Sequence, residues 1–104
     1  MLVDFEVTVT TGNKLGAGTD SKVFLVLYGD KGQSDKLHLV ETKTNTDPFE
    51  KGKKDVFDIS TVNIGDVKKI NISHDGEGSG AGWYLEKIKI KNLNTEKIFE
   101  YVQV

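Results

Sequence analysis

Phe5, Val7 and Val9 alternate one for one with Glu6, Thr8 and Thr10. Successive side chains of an extended chain point to opposite faces, so this period of two specifies a strand with one buried face. The pattern recurs along the chain. Leu37 and Leu39, Phe57 and Ile59, and Ile70 and Ile72 each form an alternating run bounded by Gly, Asn, Asp or Ser. Val23 to Tyr28 is continuously apolar and rich in β-branched and aromatic residues, which reads as a strand covered on both faces and ended by Gly29-Asp30 and Gly32. Trp83 and Leu85 lie on one parity and Ile88 and Ile90 on the other, so a bulge or sharp bend is expected between Leu85 and Ile88. Ile98 to Val104 is apolar enough to close the set after the polar turn from Asn92 to Lys97. Seven or eight strands result, at a spacing that suggests a sandwich or barrel.

No window sustains apolar residues at i, i+3, i+4 and i+7, and the 11 glycines concentrate between the runs. Little helix is therefore expected. A length of 104 residues fits a single domain spanning residues 1–104, without a linker or internal repeat. The chain has no cysteine, so disulfides and thiolate metal sites are excluded and burial alone must hold the core. A formal net charge of −2, from 14 Lys and Arg against 16 Asp and Glu, gives no global attraction to polyanions, and nucleic-acid binding is not expected. The N-terminus lacks the pattern of a signal peptide. No run approaches the roughly 20 apolar residues of a spanning helix, so any membrane contact is expected to be peripheral.

Catalytic constellations are poor. His38 falls in an expected strand, His74 at a strand end, and neither belongs to a zinc-ligand motif. Ser79 in Glu77-Gly78-Ser79-Gly80-Ala81 fails the nucleophile-elbow pattern and reads as loop flexibility. Gly16 and Gly18 echo a dinucleotide fingerprint, but a strand follows where that motif needs a helix. The chain is accordingly read as a non-enzyme. Asn71-Ile72-Ser73 matches a glycosylation triplet inside an expected strand and carries little information.

Three loops carry binding chemistry. Gly16-Ala17-Gly18-Thr19-Asp20 sets small residues, whose carbonyls can turn inward, beside one carboxylate, as a hard cation such as calcium requires; by itself it is more often a glycine turn with a solvated Asp. Asp47-Pro48-Phe49-Glu50 and His74-Asp75-Gly76-Glu77 supply further carboxylates. Alternate loops of a sandwich cluster at one end, so Asp20, Asp47, Glu50 and Asp75 are candidates to meet there. Leu15, alone in a loop tip beside Lys14, is the candidate for membrane insertion, and Lys51, Lys53 and Lys54 form a basic cluster able to face anionic headgroups or simply solvent. Trp83 reads as core rather than as an interfacial anchor.

The segments Phe5 to Gly12, Gly16 to Phe24, Phe49-Glu50-Lys51-Gly52, Val56-Phe57, Ile64 to Ile70, His74-Asp75 and Gly82-Trp83-Tyr84-Leu85, taken in this order, strongly resemble the PLAT domain (polycystin, lipoxygenase, alpha-toxin) from about Phe5 to Lys91. The resemblance implies an all-β fold, an eight-stranded antiparallel β-sandwich of two four-stranded sheets, used to reach lipids or protein partners. It also implies a calcium site to which Gly16, Gly18 and Asp20 contribute from the first loop, Asp47 or a neighbour from the second, and Glu50. The family often has an Asp just before the Trp-Tyr pair. Here Ala81 and Gly82 stand there, leaving Asp75 or Glu77 as the nearby substitute. Family members bind with loop-tip aromatics, whereas the tips here offer only Leu15, so insertion is expected to be shallow. The expected function is a monomeric, non-catalytic, calcium-assisted module that binds membrane lipids or a protein partner, with Lys14, Leu15 and Lys51 at the membrane. The alternatives are an accessory domain of a larger lipase or lipoxygenase-type enzyme, or a protein-binding sandwich that needs no calcium.

Overall fold

In the computed structural model, which describes residues 2–19, 21–76 and 83–102, the alternating segments become eight strands: β1 (Leu2–Thr11), β2 (Val23–Gly29), β3 (Gly32–Gln33), β4 (Leu37–His38), β5 (Lys54–Val62), β6 (Val67–His74), β7 (Leu85–Asn92) and β8 (Ile98–Val102). They form two antiparallel sheets of four strands, and the described residues contain no helix. The first sheet runs β5-β1-β7-β8 and the second joins β2 to β3, β4 and β6. β1 pairs along its length with β5 from Leu2↔Val62 to Thr10↔Lys54, and with β7 from Phe5↔Asn92 to Thr10↔Lys87. The next pair is Thr11↔Leu85, which leaves Glu86 as the extra residue of a bulge. That bulge is the physical origin of the parity change between Leu85 and Ile88.

The second sheet differs from the expectation in two respects. β6 pairs with the whole of β2, from Val23↔His74 to Gly29↔Val67, so β3 and β4 must share the other edge. Buried Ser34 divides that edge in two, because its hydroxyl accepts the Leu27 N–H at 2.9 Å while its own N–H donates to the Leu27 carbonyl at 2.8 Å. Leu39, expected within a strand, lies just beyond β4 and remains buried, donating its N–H to the Val23 carbonyl. The second correction concerns β2. Val23, Leu25 and Leu27 are fully buried against the first sheet, but Phe24, Val26 and Tyr28 on the other face are only half-buried. Among the described residues this face is overlaid by side chains alone, not by a second layer of backbone.

The core lies between the sheets. Val3, Phe5, Val7 and Val9 of β1 and Ile88 and Ile90 of β7 pack with the inner face of β2 and with Phe49, Phe57 and Ile64. Trp83 packs against this cluster, its indole N–H donating to Thr11 Oγ1 at 3.1 Å and its ring meeting Phe49 edge-on at 5.3 Å. The expected core role of Trp83 is thus observed.

Among the described residues one charged side chain is fully enclosed. Asp55 is 0% exposed; its Oδ2 accepts the Phe49 N–H at 2.9 Å and its Oδ1 accepts from Asn45 Nδ2 at 2.9 Å. Buried polar groups are retained when each has a partner, and removing one partner strands the other. Asp55→Ala would leave the Phe49 N–H buried and unpaired, at a cost of about 3 kcal/mol. For a domain of this size that lowers the melting temperature by at least about 10 °C. Thermal unfolding followed by circular dichroism checks this. Asp55→Asn keeps one acceptor for the amide and is expected to lose about half as much.

Candidate functional site: three loops at one end of the sandwich

Antiparallel connectivity sends alternate connections to the same end. The β1–β2, β4–β5 and β6–β7 connections therefore share one end, and β2–β3, β5–β6 and β7–β8 share the other. At the first end the loops are tied by backbone hydrogen bonds. Gly12 N–H donates to the Tyr84 carbonyl and Tyr84 N–H to the Ala17 carbonyl, each at 2.9 Å. Thr19 N–H donates to the Phe49 carbonyl and Gly52 N–H to the Gly12 carbonyl, also at 2.9 Å. Lys22 N–H donates to Asp75 Oδ1 and Asp75 N–H to the Lys22 carbonyl, both at 3.1 Å. The convergence anticipated from loop alternation is present in the backbone.

Two residues set how closely these loops approach. A Cβ on Gly18 would sit 3.0 Å from the Phe49 carbonyl oxygen and from the Lys51 amide nitrogen, and 3.1 Å from Glu50 Oε2. Glycine there lets the first loop lie directly against the second. Phe49 adopts φ 64, rare for a bulky residue, and is held there from three sides: its N–H by Asp55, its carbonyl by Thr19 and its ring between Phe57, stacked at 5.6 Å, and Trp83.

The candidate ligands take different places around this junction. Gly16 is exposed with φ 78 at the turn of the first loop, Gly18 is at the loop contact, and Glu50 is exposed with its carboxylate beside Gly18. Asp47 is exposed on a recess of about 230 Å³ that it lines with Thr19, Ser21, Pro48 and Phe49. Asp75 is exposed on the other side of the first loop, bonded to the Lys22 backbone. Asp20 lies outside the described residues, as do Glu77, Ser79, Ala81 and Gly82. Among the described residues no three His, Cys, Asp or Glu side chains converge closely enough to hold a metal. The junction offers carboxylate, carbonyl and hydroxyl oxygens, the kind of ligand a hard cation accepts. From the described residues, Asp47 on the recess and Glu50 beside Gly18 are the carboxylates that would be available to such an ion.

The membrane candidates lie on the outside of the same end. Leu15 is 95% exposed, and the Lys14 ammonium sits 3.8 Å from the centre of the Tyr84 ring. Lys51 is exposed beside Glu50. Further along the β4–β5 connection, the Lys43 ammonium pairs with Asp58 at 3.1 Å and Glu6 at 3.8 Å; the hydrogen bond to Asp58, against some desolvation, holds its pKa above the ordinary lysine value. Asp55, Phe49 and Tyr84 organise this end without having been singled out as its structural residues. For Asp55 a signal existed, since it shares the inward parity of Phe57 and Ile59 in an otherwise alternating strand.

Residues 5–102 match the family model of the PLAT/LH2 domain. The chain is 46% identical over 87 residues to human Lipoxygenase homology domain-containing protein 1, an alignment covering 84% of this chain and 4% of that protein. It is 36% identical over 97 residues to the mouse Polycystin family receptor for egg jelly, covering 92% of this chain and again 4% of the relative. Among solved structures, coral 8R-lipoxygenase, described as activated by calcium through a C2-like domain, superposes with a TM-score of 0.85 at 26% identity, over 96% of this chain and 15% of that one. A calcium-dependent 11R-lipoxygenase superposes with a TM-score of 0.66 at 30% identity, with the same coverage. The chain thus corresponds to a small part of each of these proteins. It belongs to the PLAT/LH2 domain family.

Proposed function

We propose that this domain is a non-catalytic targeting module whose three-loop end docks on an anionic lipid surface with calcium as the bridge. The observation that carries this reading is the hydrogen-bonded convergence of the three loops around Gly18 and Phe49, with Leu15 projecting almost fully exposed beside it. Calcium takes six to eight oxygen ligands at flexible geometry, and loops carrying Asp20, Asp47 and Glu50 beside backbone carbonyls supply that chemistry. When bound, the ion would offset repulsion among these carboxylates and offer open coordination positions to a phosphate or carboxylate headgroup. Leu15 would add shallow apolar contact, and Lys14 and Lys51 roughly 1 kcal/mol each near an anionic surface. The calcium regulation described for the two lipoxygenase neighbours supports the reading. Protein binding by the same loops without calcium is the second reading, favoured by the absence of an aromatic loop tip.

Calcium should bind with a dissociation constant of roughly 10⁻⁵ to 10⁻³ M, and magnesium more weakly because it requires a tighter octahedron. Binding to the folded state alone stabilises it by about 2.7 kcal/mol at a hundredfold excess over that constant. Titration calorimetry and thermal melting of the wild type beside an Asp20→Asn, Glu50→Gln double variant test this, with co-sedimentation on phosphatidylserine vesicles in parallel. The double variant is expected to lose the calcium heat, the melting shift and calcium-dependent sedimentation together. A wild type with neither heat nor shift at millimolar calcium overturns the calcium bridge and leaves the protein-binding reading.

The same reading predicts no ester hydrolysis or fatty-acid oxygenation by the purified domain. Turnover that survives repurification and disappears on substituting His74 or Ser79 would contradict it.

A further inference from the structure

The outward face of the second sheet is chemically unlike the rest of this acidic domain. Residues directly opposite each other in a ladder share a face. The outward column of β2 is Phe24, Val26 and Tyr28, since Val23, Leu25 and Leu27 point inward. Its partners are Ser73, Asn71 and Lys69 on β6, and His38 on β4 and Gln33 on β3. None of these paired positions carries a carboxylate. The outward face of the first sheet, by the same register, interleaves Asp4, Glu6, Asp58 and Glu100 with Lys54, Lys87, Lys89 and Lys91. Acids border the second face instead: Asp30 follows Tyr28 by two residues, Asp75 follows Ser73 by two with its carboxylate bonded to the Lys22 N–H, and Asp35 lies between β3 and β4.

Two cations lie across these paired positions. Lys36 Nζ sits 4.6 Å from the centre of the Phe24 ring and Lys69 Nζ 4.8 Å from that of Tyr28. The His38 ring packs on Phe24 at 4.9 Å. Phe24 and Tyr28 are four positions apart on one strand, so the two backbone positions whose rings hold the ammonium groups are separated by about 13 Å along it. An extended peptide lying on the face presents side chains of positions i, i+2 and i+4 toward it with the same spacing. From this charge pattern and spacing we infer that the outward face of the second sheet binds an extended acidic protein segment, with carboxylates at i and i+4 meeting Lys36 and Lys69 and an apolar residue at i+2 resting on Val26.

Other polyanions fit less well. Single-stranded nucleic acid needs open ring faces on which bases stack, and here the rings are overlaid by His38, Lys36 and Lys69. A membrane favours projecting apolar residues, yet Phe24, Val26 and Tyr28 are half-buried. The strands run from the loop end to the opposite end, so a domain seated on lipid by its loops holds this face along the membrane normal, free for a protein. The site does not depend on the calcium reading.

The test is a proton–nitrogen NMR titration of the chain, in chelator and low salt, with a synthetic ten-residue peptide bearing glutamate, valine and glutamate at alternate positions. Shift changes are expected at 24–28, 36–38 and 69–73, weakening as salt rises. Lys36→Glu with Lys69→Glu is expected to weaken binding about tenfold or more, as loss of two exposed charge contacts and their replacement by repulsion implies. Lys89→Glu on the other sheet should change it less than about twofold. Shifts confined to the loop end, equal binding by the double variant, or perturbation of this face by phosphatidylserine vesicles or oligothymidylate but not by the peptide would each overturn the inference.

Discussion

The loop end is held in place by Phe49. An aromatic residue at φ 64 costs about 1–3 kcal/mol of backbone strain, comparable to what burying its ring returns. The conformation persists because both backbone polar groups are also engaged, the N–H by enclosed Asp55 and the carbonyl by Thr19. With the ring wedged between Phe57 and Trp83, the core dictates where the surface loop runs. The first loop then follows, since Gly18 admits the contact and Thr19 is bonded across it. A docking surface of short loops needs this kind of anchoring, because loops without buried contacts spend binding energy on their own ordering.

The opposite end is built differently. Asp30 N–H donates to the Asp66 carbonyl, Asp66 N–H donates to Asp30 Oδ1, and Lys31 N–H donates to the Ile64 carbonyl. Gly29 is required there, because a Cβ would overlap the Ile64 carbonyl. Lys97 closes the β7–β8 side by pairing with Asp66 at 3.1 Å. Several of its polar groups are turned on one another, and it too holds a recess of about 230 Å³, lined by Asp66, Val67, Asn92, Lys97 and Ile98; the loop end differs in its hydrogen-bonded loop junction and in Leu15 standing almost fully exposed. The two faces are also unequal, with mixed charge on the first sheet and cations over aromatics on the second. The domain thus presents surfaces of distinct chemistry in nearly perpendicular directions.

Strand identity is legible in the sequence because burial on one face imprints a period of two, and the parity shift between Leu85 and Ile88 brackets a bulge or bend that the strand register places at Glu86. The split edge of β3 and β4 was not legible, since it depends on the Ser34 hydroxyl substituting for a ladder partner of Leu27. The apolar run from Val23 to Tyr28 implies cover on both faces, but only Val23, Leu25 and Leu27 are fully buried. Side chains of Lys36, His38 and Lys69 shelter Phe24 and Tyr28 well enough to permit apolar residues there, without a covering layer. For the candidate site, loop alternation foretold which segments meet, because topology alone decides that. It did not foretell that Asp75 would bond the Lys22 backbone, or that Asp55 on an inward position would fix the second loop. Both depend on side-chain partners that spacing does not encode.

The central claim, that the three-loop end is the docking end, is tested most directly by a depth measurement. The chain has no cysteine, so a nitroxide on Leu15→Cys or on Asn94→Cys at the opposite end reports one position only. Power-saturation electron paramagnetic resonance on phosphatidylserine-containing vesicles compares collision with oxygen, which concentrates in lipid, and with a water-soluble nickel chelate. The account predicts that adding calcium raises oxygen access and lowers nickel access at position 15 and leaves position 94 unchanged. Immersion of position 94, or of neither position while the protein remains vesicle-bound, would contradict it.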